Sequence, residues 1–487
     1  MNLASLNINL YSLLPLLMVV GLALFVLVLD FFIPKGGKRA LGYIAALGLV
    51  CILPFVPMFI ETVPSYGGFV IADTYSAFFN VVFLVSSAFA IFISIDYLRR
   101  INSESGEYYY IMLFATAGMM IMASANDLIS LYVGVELMSM SFYILVALRS
   151  GSGKSAEGAL KYFVLGAMSS GILLYGISFA YGFSGTTNIN EMAAIVYRLP
   201  DNNTYLYLAL SLIGAGFAFK IAAFPFHVWS PDAYEGAPTP VTALLSVGSK
   251  AAAFAVFLRV FAVALPAFHG QWSNMLWAIS AATMIFGSVA AIPQKNIIRM
   301  LAYSSIAHAG VILMGVVVNS SAGASSVLYY SLVYAFMNIG AFTVAAMASR
   351  ADGGGPELSD LRGLASRRPW LAFFMALFMV SLAGIPPTAG FMAKFFVLAS
   401  AVHAGYYWLA VIAVLATAIA LFFYARVIFY MYMQDYEGAE LPERSLFTCF
   451  TYGVVLVLTA IGTLVLGVYP SAIMDIAVSA VGPLFLI

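Results

Sequence analysis

The sequence predicts an all-α polytopic membrane protein of about fourteen transmembrane helices, and three observations carry the prediction. Hydrophobic residues fill 63% of the 487 positions and charged residues only 9%, where a soluble domain carries about 25% charged residues. The apolar residues gather into long runs, each close to the roughly 20 residues a helix needs to cross about 30 Å of hydrocarbon. The connections between runs carry Lys and Arg in alternation, as expected if cytoplasmic loops hold the basic excess.

Composition also excludes functions. With 21 basic and 21 acidic residues the net charge is zero. No Lys/Arg cluster offers a footprint for phosphate, so nucleic acid is not expected as a partner. Cys51 and Cys449 stand singly in apolar runs, without the spacing of a disulfide framework, zinc site or iron–sulfur cluster. Dinucleotide, haem and nucleophile motifs are missing too. The chain is therefore expected to hold no cofactor or metal and to move ions rather than make bonds.

The first run, residues 11–33, precedes the first basic residue, Lys35, and so reads as a retained helix rather than a signal peptide. Runs at 40–60 and 74–97 complete an N-terminal group. Next come 107–124, 127–148, 158–183, 204–230 and 239–264, then 272–292, 297–318, 325–349, 369–400, 406–432 and 448–480. Loops after odd-numbered helices hold Lys35, Lys38, Arg39, Arg99, Arg100, Arg149, Lys154, Lys295, Arg299, Arg350, Arg362, Arg367, Arg368 and Arg444, whereas those after even-numbered helices hold only Arg198. Both termini are thus expected on the side away from the cytoplasm. One odd-numbered connection, around Asp232 and Glu235, lacks a basic residue and sits among Pro231, Pro238 and Pro240, which suggests a tight turn.

A charge at the bilayer centre costs about 2.5–3.5 kcal/mol on insertion scales, and such residues face the bundle interior or line an ion path. Glu136 lies roughly 14 Å of helix beyond Asp127, Lys220 roughly 18 Å before Asp232, and Lys250 about 16 Å beyond Thr239. Lys394 is similarly deep in 369–400. A lysine side chain reaching about 6 Å cannot snorkel from these depths. Lys161 and Glu157 lie near a helix start, where snorkelling is possible, and Arg259 lies near a helix end, where a structural role is expected. His227 and His308 fall inside helices, as does Tyr303. An ammonium held in hydrocarbon gives up its proton more readily than one in water, and a nearby carboxylate opposes that, so a Lys/Glu pair works as a tunable proton switch.

Proline inside a membrane helix frees a carbonyl and marks a discontinuity, here at Pro225, Pro386 and Pro387, each within about two turns of a buried lysine. The seventh and twelfth helices are therefore expected to be broken. They also share a local echo, AGFAFK ending at Lys220 and AGFMAK ending at Lys394. The copies are five places apart in helix order, an odd offset, so they run in opposite senses, as in an inverted repeat.

The stretches FKIAAFPFHVWSPDAYEGAPTPVTALLSVGSK, RPWLAFFMALFMVSLAGIPPTAGFMAKFFVL, YVGVELMSMSFYIL and EGALKYFVLGAMSSGILLYGISFAYGFSGTTN resemble helices seven to eight, twelve, five and six of the antiporter-like membrane subunits of respiratory complex I. Among the three siblings, the chain leaves no room for the long lateral helix of the largest. It carries Lys394 where the middle one typically has Glu, and its YEGAPTP wording is nearest the third. The related multisubunit sodium/proton antiporters are the alternative.

The resemblance implies two inverted five-helix repeats, helices 4–8 and 9–13, and a division into 1–106, 107–264, 265–432 and 433–487. It implies proton translocation driven by quinone reduction elsewhere in the complex. Glu136 would be the acid paired with Lys220, Lys161 the residue tuning that pair, Lys250 the central relay and Lys394 the terminal residue at the exit. FMN, iron–sulfur clusters, quinone and NADH would be held by other subunits, and the partners would be other membrane-arm subunits, the lipid bilayer and protons. A bacterial inner-membrane location is implied, with both termini periplasmic.

Overall fold

Polar residues at the edges of the apolar runs start the helices. A computed structural model describes residues 9–61, 63–149, 152–197, 204–349, 354–435 and 450–485. Asp73, Asp127, Ser152, Asn188, Asn296 and Ser320 each accept a hydrogen bond from a first-turn amide, the N-cap arrangement that satisfies a donor with no partner inside its helix.

In chain order the helices are α1 (Leu10–Phe32), α2 (Arg39–Ile52), α3 (Thr74–Arg100), α4 (Glu107–Ser124), α5 (Leu128–Ala147), α6 (Gly153–Ser184) and α7 (Ile189–Val196). They continue with α8 (Thr204–Lys220), α9 (Trp229–Gly236), α10 (Thr239–Leu244), α11 (Lys250–Leu258), α12 (His269–Ala291), α13 (Ile297–Val318) and α14 (Ser321–Ala348). The last are α15 (Leu364–Arg367), α16 (Pro369–Ala383), α17 (Ala389–His403), α18 (Tyr407–Met433), α19 (Phe450–Val468) and α20 (Ser471–Phe485). Among the described residues, eleven stretches are long and apolar enough to cross a membrane in one piece. One of them joins α10 and α11 through π-helical turns at Leu245–Ser249 and Arg259–Ala264.

Both expected breaks are present. The seventh segment is interrupted after α8, with a cis Phe224–Pro225 bond, and the twelfth between α16 and α17, with a cis Pro386–Pro387 bond. The fourteenth, expected as one helix, is also broken. Pro470 has no N–H to give the Leu466 carbonyl, which instead accepts from the Tyr329 hydroxyl at 2.5 Å. Thr451, beside the start of α19, hydrogen-bonds Asp96 near one end of α3, and the Ala480 carbonyl of α20 accepts from Thr74 at the other end. Together α19 and α20 therefore run the length of α3. Cys449 and Arg198 lie outside the described residues.

The inverted repeat is visible in matched contacts. The segment before α5 pairs with the segment after α6 through Leu128 N to Thr187 O and Ile189 N to Asn126 O. The segments before α13 and after α14 pair the same way, through Ile297 N to Pro356 O and Leu358 N to Lys295 O. Five crossings separate the two ties, so they sit on opposite faces of the bundle. Each repeat opens with a pair of helices packed backbone to backbone. A Cβ on Gly118 would lie 2.5 Å from Met138 N, and one on Gly287 2.5 Å from Ala307 N. Small residues at such crossings let membrane helices approach closely.

The AGFxxK echo is not part of this symmetry. Lys220 ends the helix before its break, whereas Lys394 belongs to the helix after its own. At the centre of the molecule the stretch Thr239–Ala264 is wholly enclosed, whereas Leu10–Phe32 has 28% of its apolar window buried and presents Leu24, Phe25 and Val28 outward, as a lipid-facing helix does.

Candidate functional site at three buried lysines

Lys394 completes the break in the twelfth segment. Pro386 and Pro387 supply no N–H, so the carbonyls four residues earlier, Leu382 and Ala383, lose their helical partners. The Lys394 ammonium donates to both, at 2.9 Å and 3.0 Å. An ammonium has three N–H donors. The third is left for a cavity of about 10 Å³, the room one water needs, which Lys394 lines with His308, Thr417 and Tyr424. A neutral amine keeps two N–H groups, so Lys394 can release a proton without abandoning either carbonyl.

Lys250 repeats this arrangement at the centre. It follows the first π-helical turn and donates to Ser305 O at 2.9 Å and to Ser305 Oγ at 2.6 Å. A second cavity of about 10 Å³ adjoins it, lined also by Ser331 and Tyr334. The hydroxyls of Tyr234 and Tyr334 face Ser305, and Ser230 lies beside Tyr234, so polar atoms cluster around the Lys250 cavity.

Lys220 donates to Ser139 Oγ at 2.8 Å. Ser139 sits one turn beyond Glu136 on α5 and gives its own proton to Val135 O at 2.6 Å. Glu136 forms no ion pair with Lys220, and its Oε1 is buried without a partner. The break after Lys220 is closed by Trp229 Nε1, which donates to Phe219 O at 3.1 Å, and by Phe224 N, which donates to Thr283 Oγ1 at 3.0 Å. The three lysines are 3%, 3% and 7% exposed, and among the described residues none of them has an ion-pair partner.

The other candidates divide. His308 is buried, with Nδ1 2.6 Å from the Tyr330 hydroxyl and Nε2 3.1 Å from the Tyr424 hydroxyl, and Tyr424 also hydrogen-bonds Ser304. His227 packs its ring against Phe286 at 4.3 Å and leaves Nδ1 buried and unpartnered. Tyr303 meets the same Phe286 at 6.4 Å, so these two share an aromatic neighbour rather than a hydrogen bond.

Lys161 is drawn to the surface. It is 43% exposed and bonds Asp232 at 2.8 Å and Glu157 at 2.6 Å. Arg299 binds Asp232 at 2.7 Å and Glu235 at 3.1 Å, and Lys154 binds Glu235 at 2.7 Å. The connection without a basic residue is thus neutralised from two neighbouring helices. Burial raises the Asp232 carboxyl, but the bonds from Lys161 and Arg299 outweigh it and hold the group below the usual carboxylate range. Arg259 binds Asp73 through both guanidinium nitrogens at 2.9 Å, deep in the protein and over the Tyr75 ring.

A family described as "NADH:quinone oxidoreductase/Mrp antiporter, TM" matches residues 125–420, a stretch that holds Glu136, Lys161 and all three buried lysines. Across 98% of its length the chain is 44% identical to NADH-quinone oxidoreductase subunit N of Trichlorobacter lovleyi, covering 97% of that protein. It is 42% identical over 98% of its length to the subunit N of Moorella thermoacetica, covering 99%. The chain belongs to the subunit N family of NADH-quinone oxidoreductases. Respiratory complex I from Thermus thermophilus with bound aureothin contains a chain of the same fold, with TM-score 0.79 and 30% identity over 95% of this chain and 98% of that one. Subunit N membership decides between the siblings and the sodium/proton antiporters left open by the sequence. It also makes this a multi-pass membrane protein related to subunits of a respiratory enzyme complex.

Sequence reasoning did not single out Ser139, Ser304, Ser305, Tyr330 or Tyr424. The run YSSIAH at 303–308 carried the available signal, a polar patch halfway along an otherwise apolar helix.

Proposed function

We propose that this chain translocates protons across a bacterial inner membrane as the subunit N of an NADH:quinone oxidoreductase, along a relay of Glu136, Lys220, Lys250 and Lys394. One observation carries the reading. Three lysines lie inside the membrane without a carboxylate at ion-pair distance, each at a helix interruption. Unpaired ammonium groups in a membrane interior are costly and mark proton or ion paths. In this reading the quinone reaction elsewhere in the complex supplies the free energy, other membrane-arm subunits flank the chain, and FMN, iron–sulfur clusters, NADH and quinone are held by other subunits. Both termini face the periplasm, in keeping with the basic loops. Lys161 biases the Glu136–Lys220 pair through its field, from the surface network.

Proton uptake by inverted membrane vesicles, measured per electron passed to quinone, tests the relay. Lys220→Ala and Glu136→Ala are expected to leave the complex assembled and to lower uptake. Normal uptake in both variants refutes the relay. Loss of assembly in both supports a packing role for the buried charges instead.

A further inference from the structure

The relay leaves a gap between Lys250, bound to Ser305, and Lys394, bound to the helix break. Four groups lie in that gap in a row: the Tyr330 hydroxyl, the two ring nitrogens of His308, the Tyr424 hydroxyl and Ser304 Oγ. All four residues are buried. Tyr424 comes from α18, a helix to which the sequence assigned no functional residue. Its hydroxyl reaches Ser304, the neighbour of the serine that holds Lys250, and His308, and its side chain lines the cavity shared by His308 and Lys394. We propose that the Tyr424 hydroxyl is the relay group joining the Lys250 half of the path to the Lys394 half, an inference that rests on the proton-relay reading above.

Donor counting gives the mechanism. A neutral imidazole has one N–H and one bare nitrogen, and each hydroxyl has one hydrogen, so the three links can all run in one sense in two ways, each the reverse of the other. In one, Tyr330 donates to Nδ1, Nε2–H donates to Tyr424, and Tyr424 donates to Ser304. In the other every bond is reversed: Ser304 donates to Tyr424, Tyr424 to Nε2, and Nδ1–H to Tyr330. A proton entering at Ser304 shifts each hydrogen one place along and releases one from Tyr330, which converts the second arrangement into the first. One proton enters, one leaves, and His308 ends as the other neutral tautomer. The row then needs its hydroxyls turned and its tautomer exchanged before it carries another proton in the same sense. Tyr424 has a single hydrogen to offer to Ser304 or to His308, so it cannot conduct in both senses at once. A neutral chain of this kind crosses an apolar core without stationing a further charge there.

The test uses the assembled complex in inverted vesicles, with proton uptake per electron as the readout. Tyr424→Phe keeps the ring that packs on Phe423 and removes only the hydroxyl. Ser304→Ala removes the next link, and Lys394→Ala tests the underlying relay. Both Tyr424→Phe and Ser304→Ala are expected to lower uptake to the level of Lys394→Ala. The Tyr424→Phe/Ser304→Ala double variant is expected to be no worse than either single one, because links of one chain are not additive. Reduced uptake in Lys394→Ala with normal uptake in Tyr424→Phe overturns this inference and leaves the relay standing. Normal uptake in Lys394→Ala overturns the relay and this inference with it. Additive losses from Tyr424→Phe and Ser304→Ala point to packing and overturn it also. If Tyr424→Phe fails to assemble, Ser304→Ala decides alone, and normal uptake there refutes the proposal.

Discussion

The Leu382 and Ala383 carbonyls, freed by two prolines and held by Lys394, give a quantitative prediction about the broken twelfth segment. Lys394→Met removes the charge and both donors. Lys394→Gln also removes the charge but keeps an NH2 group on a side chain one bond shorter, enough for at least one of the two carbonyls. Both variants escape the desolvation of a buried ammonium equally, so the difference between them isolates the hydrogen bonding. A buried carbonyl left unpaired costs about 1–3 kcal/mol, which corresponds to about 5-fold to about 150-fold in a local opening equilibrium. The amides of Gly384, Thr388 and Gly390 are held within the break, bonding Val380 O, Ile385 O and Ser381 Oγ respectively. Hydrogen exchange by mass spectrometry on the complex in lipid nanodiscs reads their protection directly. Exchange at these amides is expected to be faster in the methionine variant than in the glutamine variant by that factor. Equal exchange in the two variants refutes the carbonyl-holding role.

Three further outcomes follow from the geometry. A methyl group on Gly467 would lie 2.2 Å from Pro387 O and 2.6 Å from Ala389 N, so Gly467→Ala is expected to force the two breaks apart at about 1–3 kcal/mol. Thermal inactivation of the detergent-solubilised complex measures this, and unchanged inactivation counts against the contact. Arg259→Met strands the buried Asp73 carboxylate, for which about 3–5 kcal/mol is expected; native-like heat resistance contradicts it. The Asp232 carboxyl is held below its ordinary value of 3.8. Its ion pairs therefore stabilise the protein above the ordinary carboxylate range, and that contribution is lost as pH falls through the lowered value. The gap in thermal inactivation between native protein and Asp232→Asn is expected to be full at about pH 7 and to close below about pH 4. A gap that keeps its pH 7 size as the pH falls through and below the ordinary carboxylate range refutes the assignment.

Much of the fold was legible because a membrane limits the alternatives. Apolar runs located the crossings, and Pro225 and Pro386–Pro387 located two of the three breaks. The third was missed although Pro470 stood inside a run too long for one crossing, because the run was read by apolarity alone. The echo ending at Lys220 and Lys394 misled in a definite way. It aligned the lysines, while the structure aligns the breaks and puts the lysines on opposite sides of them. The three buried lysines stood out as charges among apolar residues. The hydroxyls around them did not, because Ser139 and Ser305, which hold Lys220 and Lys250, and Tyr424, which shares a cavity with Lys394, are neutral and resemble the other hydroxyls of a chain with 29 tyrosines. Lys161 was placed near a helix start correctly, but its partner Asp232 lies 71 residues away and is brought to it only by the packing of α9 on α6.

The contact between Gly467 and the backbone at Pro387–Ala389 has a consequence for genetics. The last two helices lie outside both repeats and carry no candidate proton carrier. Yet they form the wall against which the twelfth segment is interrupted, and the Leu466 carbonyl is held by Tyr329 from the second repeat. A nonsense change or a bulky fusion affecting residues after 450 would remove or displace that wall. Such an allele would score as a defect at Lys394, although every residue of the proposed relay is still encoded.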